Sequence, residues 1–128
     1  MSSAIFLNLS NHPVAKWSCD QLEAAEAFGF GPPIDFAGGF PIVDPETSSE
    51  ELDEVARELA YCVLELNPGA VFVAGEFTLT FGVVRRLLME GITCVGATTR
   101  RVVQERVLAD GTVERTSEFK FVQWRRYQ

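Results

Sequence analysis

The sequence predicts an α/β fold with a mainly parallel sheet, helices on both faces and a C-terminal antiparallel β-hairpin. Three observations support this fold class. Short apolar runs typical of buried strands alternate with segments of helical periodicity through residues 4–97. Units of this kind build parallel sheets, and their right-handed crossovers cover both faces with helices. The last third instead holds two strand-like runs around an Asp-Gly pair, a strong hairpin signal.

The first strand and helix are marked by their boundaries. Residues 4–9 form an apolar run of the length of a buried strand, and the polar residues 10–13, which end in a proline, predict a loop. Ser18 and Gln21 have capping-box spacing and open a helix to about residue 28. A Gly- and Pro-rich cluster at residues 29–33 ends that helix.

The middle of the chain repeats the pattern. Residues 34–36 are a candidate short second strand. Ser48 begins a second helix, whose acidic first turn suits the helix dipole and whose apolar residues recur at helical spacing to residue 66. Asn67, Pro68 and Gly69 end it, and residues 70–74 form a second buried strand.

A third unit precedes the hairpin. Residues 75–90 predict a turn and a helix, and residues 92–97 predict another buried strand. Residues 102–108 and 113–124 then flank Asp110-Gly111 as the two strands of a hairpin, with a two-residue turn.

Size and composition favour one cytoplasmic domain that spans residues 1–128. The chain is 47% hydrophobic and 23% charged, so it can bury a core without disulfides. Cys19, Cys62 and Cys94 lie far apart, which is typical of free thiols in a reducing compartment. The start of the chain lacks the basic region of a signal peptide, and no apolar run is long enough to span a membrane. We therefore expect no membrane partner.

Charge is distributed unevenly along the chain. The net charge is −7, but residues 1–97 carry 4 basic and 14 acidic side chains whereas residues 98–128 carry 7 basic and 4 acidic ones. We expect no duplex DNA partner, because the overall negative charge repels it. The basic third could hold a small anionic ligand, or it could be a strand pair with solvated arginines.

Three polar segments follow predicted strands, where open α/β sheets bind ligands. They comprise Ser10, Asn11 and His12; then Gly75, Glu76, Phe77 and Thr78; and finally Thr98, Thr99, Arg100 and Arg101. We take these residues as the candidate site.

Each segment has a functional and a structural interpretation. Ser10 and Asn11 could donate to phosphate oxygens or cap the next helix. His12 is the only histidine, and it could protonate a leaving oxygen or simply be exposed. Glu76 could act as a base or bind a ribose hydroxyl, or it could serve the dipole of the following helix.

The other members of the set divide in the same way. Gly75 allows a sharp turn or the close approach of a ligand. Arg100 and Arg101 match phosphate geometry, while a plain strand edge is the alternative. No G-x-G-x-x-G or Walker sequence occurs, and no histidine or cysteine cluster suggests a metal, so we expect no cofactor and no metal site.

The residues of the second half resemble a known family. The segments are Gly75-Glu76-Phe77-Thr78, Ala97-Thr98-Thr99-Arg100-Arg101-Val102-Val103, Asp110-Gly111-Thr112-Val113, and Phe119-Lys120-Phe121-Val122 with Arg125-Arg126-Tyr127. In order and spacing they are similar to the small CRISPR-associated ring nucleases of type III systems.

The resemblance implies a CARF-like, Rossmann-type fold, a homodimer and an RNA-like ligand. The family binds cyclic oligoadenylate, the second messenger of these antiviral systems, and cleaves it to end the response. By resemblance, Ser10, His12 and Glu76 are the catalytic candidates. Ligand binding falls to Asn11, Gly75, Phe77, Thr78, Thr98, Thr99, Arg100 and Arg101.

Three functions follow as hypotheses. The first is a metal-independent hydrolase that cuts cyclic tetraadenylate or a related ring, using positioned groups and cations at the phosphate. The second is a non-catalytic module that senses or sequesters the same ligand. The third is an interaction protein without a nucleotide ligand, whose hairpin serves as a dimer edge.

Overall fold

A computed structural model describes residues 4–128, so the part of the predicted domain before residue 4 lies outside it. The strands are β1 (Ile5–Leu9), β2 (Ile34–Asp35), β3 (Pro68–Val73), β4 (Thr93–Val107) and β5 (Val113–Arg126). The helices are α1 (Cys19–Glu26), α2 (Ser49–Glu65) and α3 (Phe77–Met89), and a short 3-10 turn at Val14–Lys16 precedes α1.

The five strands form one sheet in the order β2-β1-β3-β4-β5. Strand β1 pairs in parallel with β2 and β3, and β3 pairs in parallel with β4. Strand β5 is antiparallel to β4. The predicted mixed α/β architecture, mostly parallel with a C-terminal antiparallel pair, is confirmed.

Helices cover both faces because alternate strand residues point to opposite sides. On one face, side chains of β1 and β3 pack under α2 and α3 with the buried Phe40. This core includes Leu7, Leu9, Val71, Val73, Leu59, Val63, Leu79 and Val83. On the other face, Phe6, Phe72 and Val95 pack against Trp17, α1 and the half-buried Trp124 of β5.

Side-chain caps begin two helices where the sequence predicts them. The Ser18 hydroxyl accepts a hydrogen bond from the Gln21 amide at 3.2 Å. The Ser48 hydroxyl accepts one from the Glu51 amide at 3.1 Å and donates to the Glu51 carboxylate at 3.1 Å, so the same hydroxyl caps the helix and binds the acidic side chain of its first turn.

The predicted break after residue 97 is wrong, because β4 runs without interruption through residues 93–107. Residues 98–101 are therefore part of a strand and not a loop at a strand end. Strand β5 pairs with β4 over its whole length, so the ladder satisfies the backbone of this segment even though its side chains are polar.

The hairpin turn also differs from the predicted two-residue turn. The Leu108 amide donates to the Thr112 carbonyl at 2.8 Å, and the Gly111 amide donates to the Leu108 carbonyl at 3.0 Å. Gly111 has a φ of 88°. This is a three-residue loop in which a left-handed glycine follows a tight turn.

The three cysteines are free thiols, as predicted: Cys19 and Cys62 are exposed, and Cys94 is buried. No helix within residues 4–128 combines the length and the apolar character needed to cross a bilayer.

Candidate functional site

The strand order brings the three predicted polar segments to one edge of the sheet. The loop after β1 neighbours the turn after β3, because β1 and β3 are paired and the Ala74 amide donates to the Leu9 carbonyl at 3.1 Å. Phe72 is level with Val95, so Thr98 lies two residues beyond the level of Val73. Strands β4 and β5 continue past this carboxyl edge as a two-stranded ribbon, comprising residues 99–107 and 113–121.

A buried polar network holds the loop after β1. The Asn8 amide, 1% exposed, donates to the His12 carbonyl at 2.9 Å and to Asp35 Oδ1 at 2.8 Å. The Trp17 indole donates to the same His12 carbonyl at 2.8 Å. The Ser10 hydroxyl donates to Asn8 Oδ1 at 2.6 Å and accepts from the His12 amide at 3.2 Å.

This network divides the predicted residues of the loop by role. Ser10 is 6% exposed and engaged with its neighbours, so it positions the loop. The main chain of His12 is held in place while its ring is exposed to solvent. Asn11 is exposed, and its side chain makes no hydrogen bond within residues 4–128.

A cleft of about 320 Å³ opens beside this loop. Its lining residues are Ser10, Asn11, Pro13, Asp35, Phe36, Gly38 and Gly39. Gly39 has a φ of 68°, and a Cβ there would lie 3.1 Å from Asn11 Oδ1 and 3.2 Å from the Ser10 carbonyl. Glycine at this position therefore lets residues 38–39 close against the loop.

The turn after β3 is shaped by Gly75 and Glu76. A Cβ at Gly75 would collide with the ring of the buried Phe40. The Glu76 carboxylate caps α3, accepting from the amides of Thr78 at 3.0 Å and Leu79 at 2.8 Å, and from the Thr78 hydroxyl. These hydrogen bonds, that from Leu79 most of all, hold the pKa of Glu76 below its usual value.

The capping role weakens Glu76 as a base near neutral pH, since its carboxylate is already engaged as an acceptor. Phe77 follows it at the start of α3, and its side chain is 88% exposed. An aromatic ring this exposed, beside the edge where the polar segments meet, offers a surface on which a base could stack.

The base of the ribbon carries the four remaining predicted residues. The Thr98 hydroxyl bonds the Gln123 carbonyl and amide at 3.0 and 3.2 Å, next to a bulge at Thr98 and Thr99. Arg100 and Arg101 are consecutive residues of a regular strand, so they project from opposite faces. The sequence places both arginines in one candidate site and so predicts that they face one crevice; that prediction is wrong.

Arg100 lies directly opposite Lys120 in the ladder. Like charges opposite each other destabilise a strand pair, and neither cation forms an ion pair in the part of the chain that the structure describes. Farther along the ribbon, Arg106 is paired with Glu114 and Arg115 with Glu105. The Arg100–Lys120 pair is thus a cationic spot without an ion-paired carboxylate in the described chain, four residues beyond the level of Val73.

Sequence reasoning missed two residues of this edge. The sequence pattern gives no role to Lys120, because its position opposite Arg100 depends on the length of the hairpin loop. That loop has three residues, one more than the Asp-Gly signal predicts. The pattern places Asp35 only in a possible strand, and a two-residue strand carries too little periodicity to indicate its pairing with Asn8. Within residues 4–128, no three His, Cys, Asp or Glu side chains converge on a point that could hold a metal.

Comparison with known proteins gives one match. The model of a family described as the uncharacterized protein MJ1673 family matches residues 4–125. No curated protein matches the chain. No solved structure matches it either.

Proposed function

We propose that this chain, which belongs to the MJ1673 family, is a CARF-like, metal-independent ring nuclease that cleaves cyclic tetraadenylate or a closely related ring. As a cytoplasmic homodimer, it would end the response of a type III CRISPR system by destroying its second messenger. The family match itself carries no activity, so the proposal depends on the site and on the resemblance described above.

The observation that carries the proposal is the Arg100–Lys120 pair. Two cations face each other across a strand pair without a carboxylate partner in the described chain, an arrangement that costs stability unless an anion lies between them. The pair lies at the base of the ribbon, four residues beyond the level of Val73, while the loop that carries His12 and the turn that carries Phe77 lie at the carboxyl edge. A ring ligand that neutralises the cations would extend from the ribbon toward both segments.

The chemistry needs no redox or metal group. The 2′-oxygen of a ribose attacks the adjacent phosphorus, and the bond from phosphorus to the 5′-oxygen breaks, which leaves a 2′,3′-cyclic phosphate. Arg100 and Lys120 stabilise the charge that develops on the phosphate oxygens. His12 gives its proton to the leaving 5′-oxygen, and the proton of the 2′-hydroxyl passes to water.

The other residues hold this arrangement. Ser10 fixes the loop that carries His12, and Thr98 fixes the bulge below Arg100 through its bonds to Gln123. Phe77 offers a stacking surface. Arg101, on the opposite face of the ribbon, adds to the positive field without touching the same phosphate.

A binding module without turnover is the second candidate. It is favoured by the internal engagement of the Ser10 hydroxyl and the Glu76 carboxylate, which leaves His12 alone among the three proposed catalytic side chains without a side-chain hydrogen bond in the described chain. A site with one proton-transfer group could grip the ring without cutting it.

Incubation with cyclic tri-, tetra- and hexaadenylate in EDTA, with the products resolved by chromatography, tests the proposal. Linear products that end in a cyclic phosphate support the nuclease. His12→Ala should retain binding and cut more slowly by roughly 100-fold or more, the usual contribution of a general acid. Binding without products would favour the second candidate. Absence of binding to any ring, or activity that requires a divalent ion, would overturn the proposed mechanism.

A further inference from the structure

We infer that the cleft lined by Asn11, Asp35 and Phe36 is a subsite for a purine base and reads its 6-amino group. The inference rests on the proposed function for its biological ligand, a ring of adenosine nucleotides. It adds the residues that recognise the 6-amino group of the base, none of which belongs to the cationic spot.

The size of the cleft suits one base. At about 320 Å³ it lies at the small end of the range of ligand pockets, so it does not hold a whole cyclic oligonucleotide. It opens between the loop after β1 and residues 36–39. Phe36 is half-buried against the core and lines the cleft, so its ring offers an apolar wall for a base.

Asp35 supplies an acceptor of fixed orientation. Its Oδ1 accepts from the Asn8 amide at 2.8 Å and from the Val14 amide at 3.0 Å. Its Oδ2 accepts no hydrogen bond within residues 4–128, so one carboxylate oxygen stays free at the wall of the cleft. A free anionic acceptor held in this way selects a base that presents an N–H group.

Asn11 supplies the complementary groups. Its side-chain amide carries both a donor and an acceptor, lies against Gly39 and is free of other hydrogen bonds in the described chain. Asparagine pairs with adenine through the 6-amino group and a ring nitrogen. Asp35 and Asn11 together can therefore accept from the amino group and donate to the ring.

The cleft and the cationic spot would hold different nucleotides of one ring. Asp35 lies on β2, three strands from β4, a separation of about 14 Å at roughly 4.8 Å per strand, and Arg100 lies four residues beyond the level of Val73. A single nucleotide does not span this distance. With a phosphate at Arg100 and Lys120, a base in the cleft therefore belongs to another nucleotide of the ring.

The test compares AMP with purine riboside 5′-monophosphate, which lacks only the 6-amino group. Both are titrated into the full chain while the amide NMR signals of Asn11 and Gly39 are followed. AMP should bind about tenfold or more tightly, the ratio expected for a hydrogen bond to a charged group. Asp35→Asn keeps the Oδ1 acceptor but replaces the free oxygen by a donor, so the preference should fall to near unity.

Matched variants separate base selection from folding. Asp44→Asn is the control, because Asp44 also accepts a backbone N–H through Oδ1 but lies outside the cleft, and it should keep the preference for AMP. If Asp35→Asn fails to fold, Asn11→Ala tests the same cleft, since it removes no hydrogen bond of the described chain. That variant should weaken AMP binding severalfold.

Equal affinity of the parental chain for the two nucleotides would overturn the inference. An unchanged preference for AMP in Asp35→Asn would also overturn it, as would NMR signal changes confined to residues outside the cleft. These results are independent of ring cleavage. A chain that prefers AMP in the cleft but binds no cyclic oligoadenylate would refute the proposed function and leave the base subsite standing. A chain that cleaves the ring but shows no preference for AMP would support the proposed function and refute the base subsite.

Discussion

At the scale of single residues, Asn8 organises the candidate site although its own side chain is buried. Its side chain lies on β1, is 1% exposed and bonds three other residues of the carboxyl edge. A buried amide of this kind is stable because its partners replace the water that it loses. The conformation of the loop after β1, and with it the positions of Asn11 and His12, therefore depends on a side chain below the surface.

We expect Asn8→Ala to lower the free energy of unfolding by about 1–3 kcal/mol, the cost of leaving a buried polar partner such as the Ser10 hydroxyl without its hydrogen bond. Asn11→Ala is the matched control, and it should stay within about 0.5 kcal/mol of the parent because that side chain is exposed and unbonded in the described chain. Urea unfolding of both variants measures the difference. Equal stability would show that the network contributes nothing.

Glu76 gives a pH-dependent prediction. The pKa of its carboxyl is lowered in the folded chain, mainly by the Leu79 amide and then by Thr78, so its stabilising effect is present above its usual value of 4.5. The effect is lost as the pH falls through the lowered folded pKa. Glu76→Gln should therefore be less stable than the parent at pH 7, and the difference should shrink as the pH falls to about 3.

The measurement is the urea midpoint of the parent and Glu76→Gln across this pH range. Glu118→Gln is the control, since the Glu118 carboxylate accepts no hydrogen bond within residues 4–128. The difference in urea midpoint between Glu118→Gln and the parent should not shrink as the pH falls. A gap between Glu76→Gln and the parent that stays constant with pH would contradict the capping role.

At the scale of elements, the parallel part of the sheet was predictable and the ribbon was only partly so. The apolar runs of β1 and β3 and the capping serines of α1 and α2 are local signals, and each element begins within two residues of its predicted start. Strand β4 extends beyond its apolar segment because β5 pairs with it, and such pairing is a long-range property that the local sequence does not indicate. The same pairing determines that Arg101 lies opposite Phe119 and not beside Arg100 in one crevice.

The site shows the same division between local and long-range signals. Polar segments after apolar strands can be recognised in the sequence, and the strand order then brings them to one edge. The partners of Asp35 and Lys120 depend on contacts across 27 residues in one case and on hairpin register in the other. Neither follows from residue type or spacing alone.

The Arg100–Lys120 pair predicts opposite effects on stability and on binding. Arg100→Thr removes a like-charge contact, so it should leave the ribbon as stable as before or more stable by up to about 1 kcal/mol. The same change should weaken binding of cyclic tetraadenylate by about 1.5–3 kcal/mol, roughly 10- to 150-fold in Kd. Calorimetry and urea unfolding measure the two quantities.

Arg106→Thr is the matched control, because Arg106 is paired with Glu114 and lies farther along the same face of the ribbon. It should bind the ring as the parent does and gain no stability. Arg101→Thr should weaken binding less than Arg100→Thr. Normal binding by Arg100→Thr would mean that the phosphate lies elsewhere.

At the scale of the whole molecule, the ribbon is the feature that packs against no other element of the described chain beyond the bulge. Beyond the bulge nearly all of its side chains are exposed on both faces, and a two-stranded hairpin is only marginally stable alone in water. The ladder pairs Val107 with Val113 and Arg101 with Phe119, so its large exposed apolar residues share one face. These residues are Val103, Val107, Val113 and Phe119.

This face also carries Arg101 and the Glu105–Arg115 ion pair, and its exposed apolar residues lead to our prediction of a homodimer in which two ribbons pack face to face. Phe119 is 68% exposed, and its burial at a two-fold interface would be counted twice, at about 1.5–3 kcal/mol for each side chain. Phe119→Lys should therefore weaken the dimer by roughly 100-fold or more.

Thr116→Lys places the same charge on the opposite face of the ribbon and should leave the dimer intact. Light scattering at roughly 50 μM, within the range of weak specific association, should give twice the chain mass for the parent and the Thr116 variant, and a single chain for the Phe119 variant. A monomeric parent would refute the dimer, and equal behaviour of the two variants would mean that the chains associate through another surface.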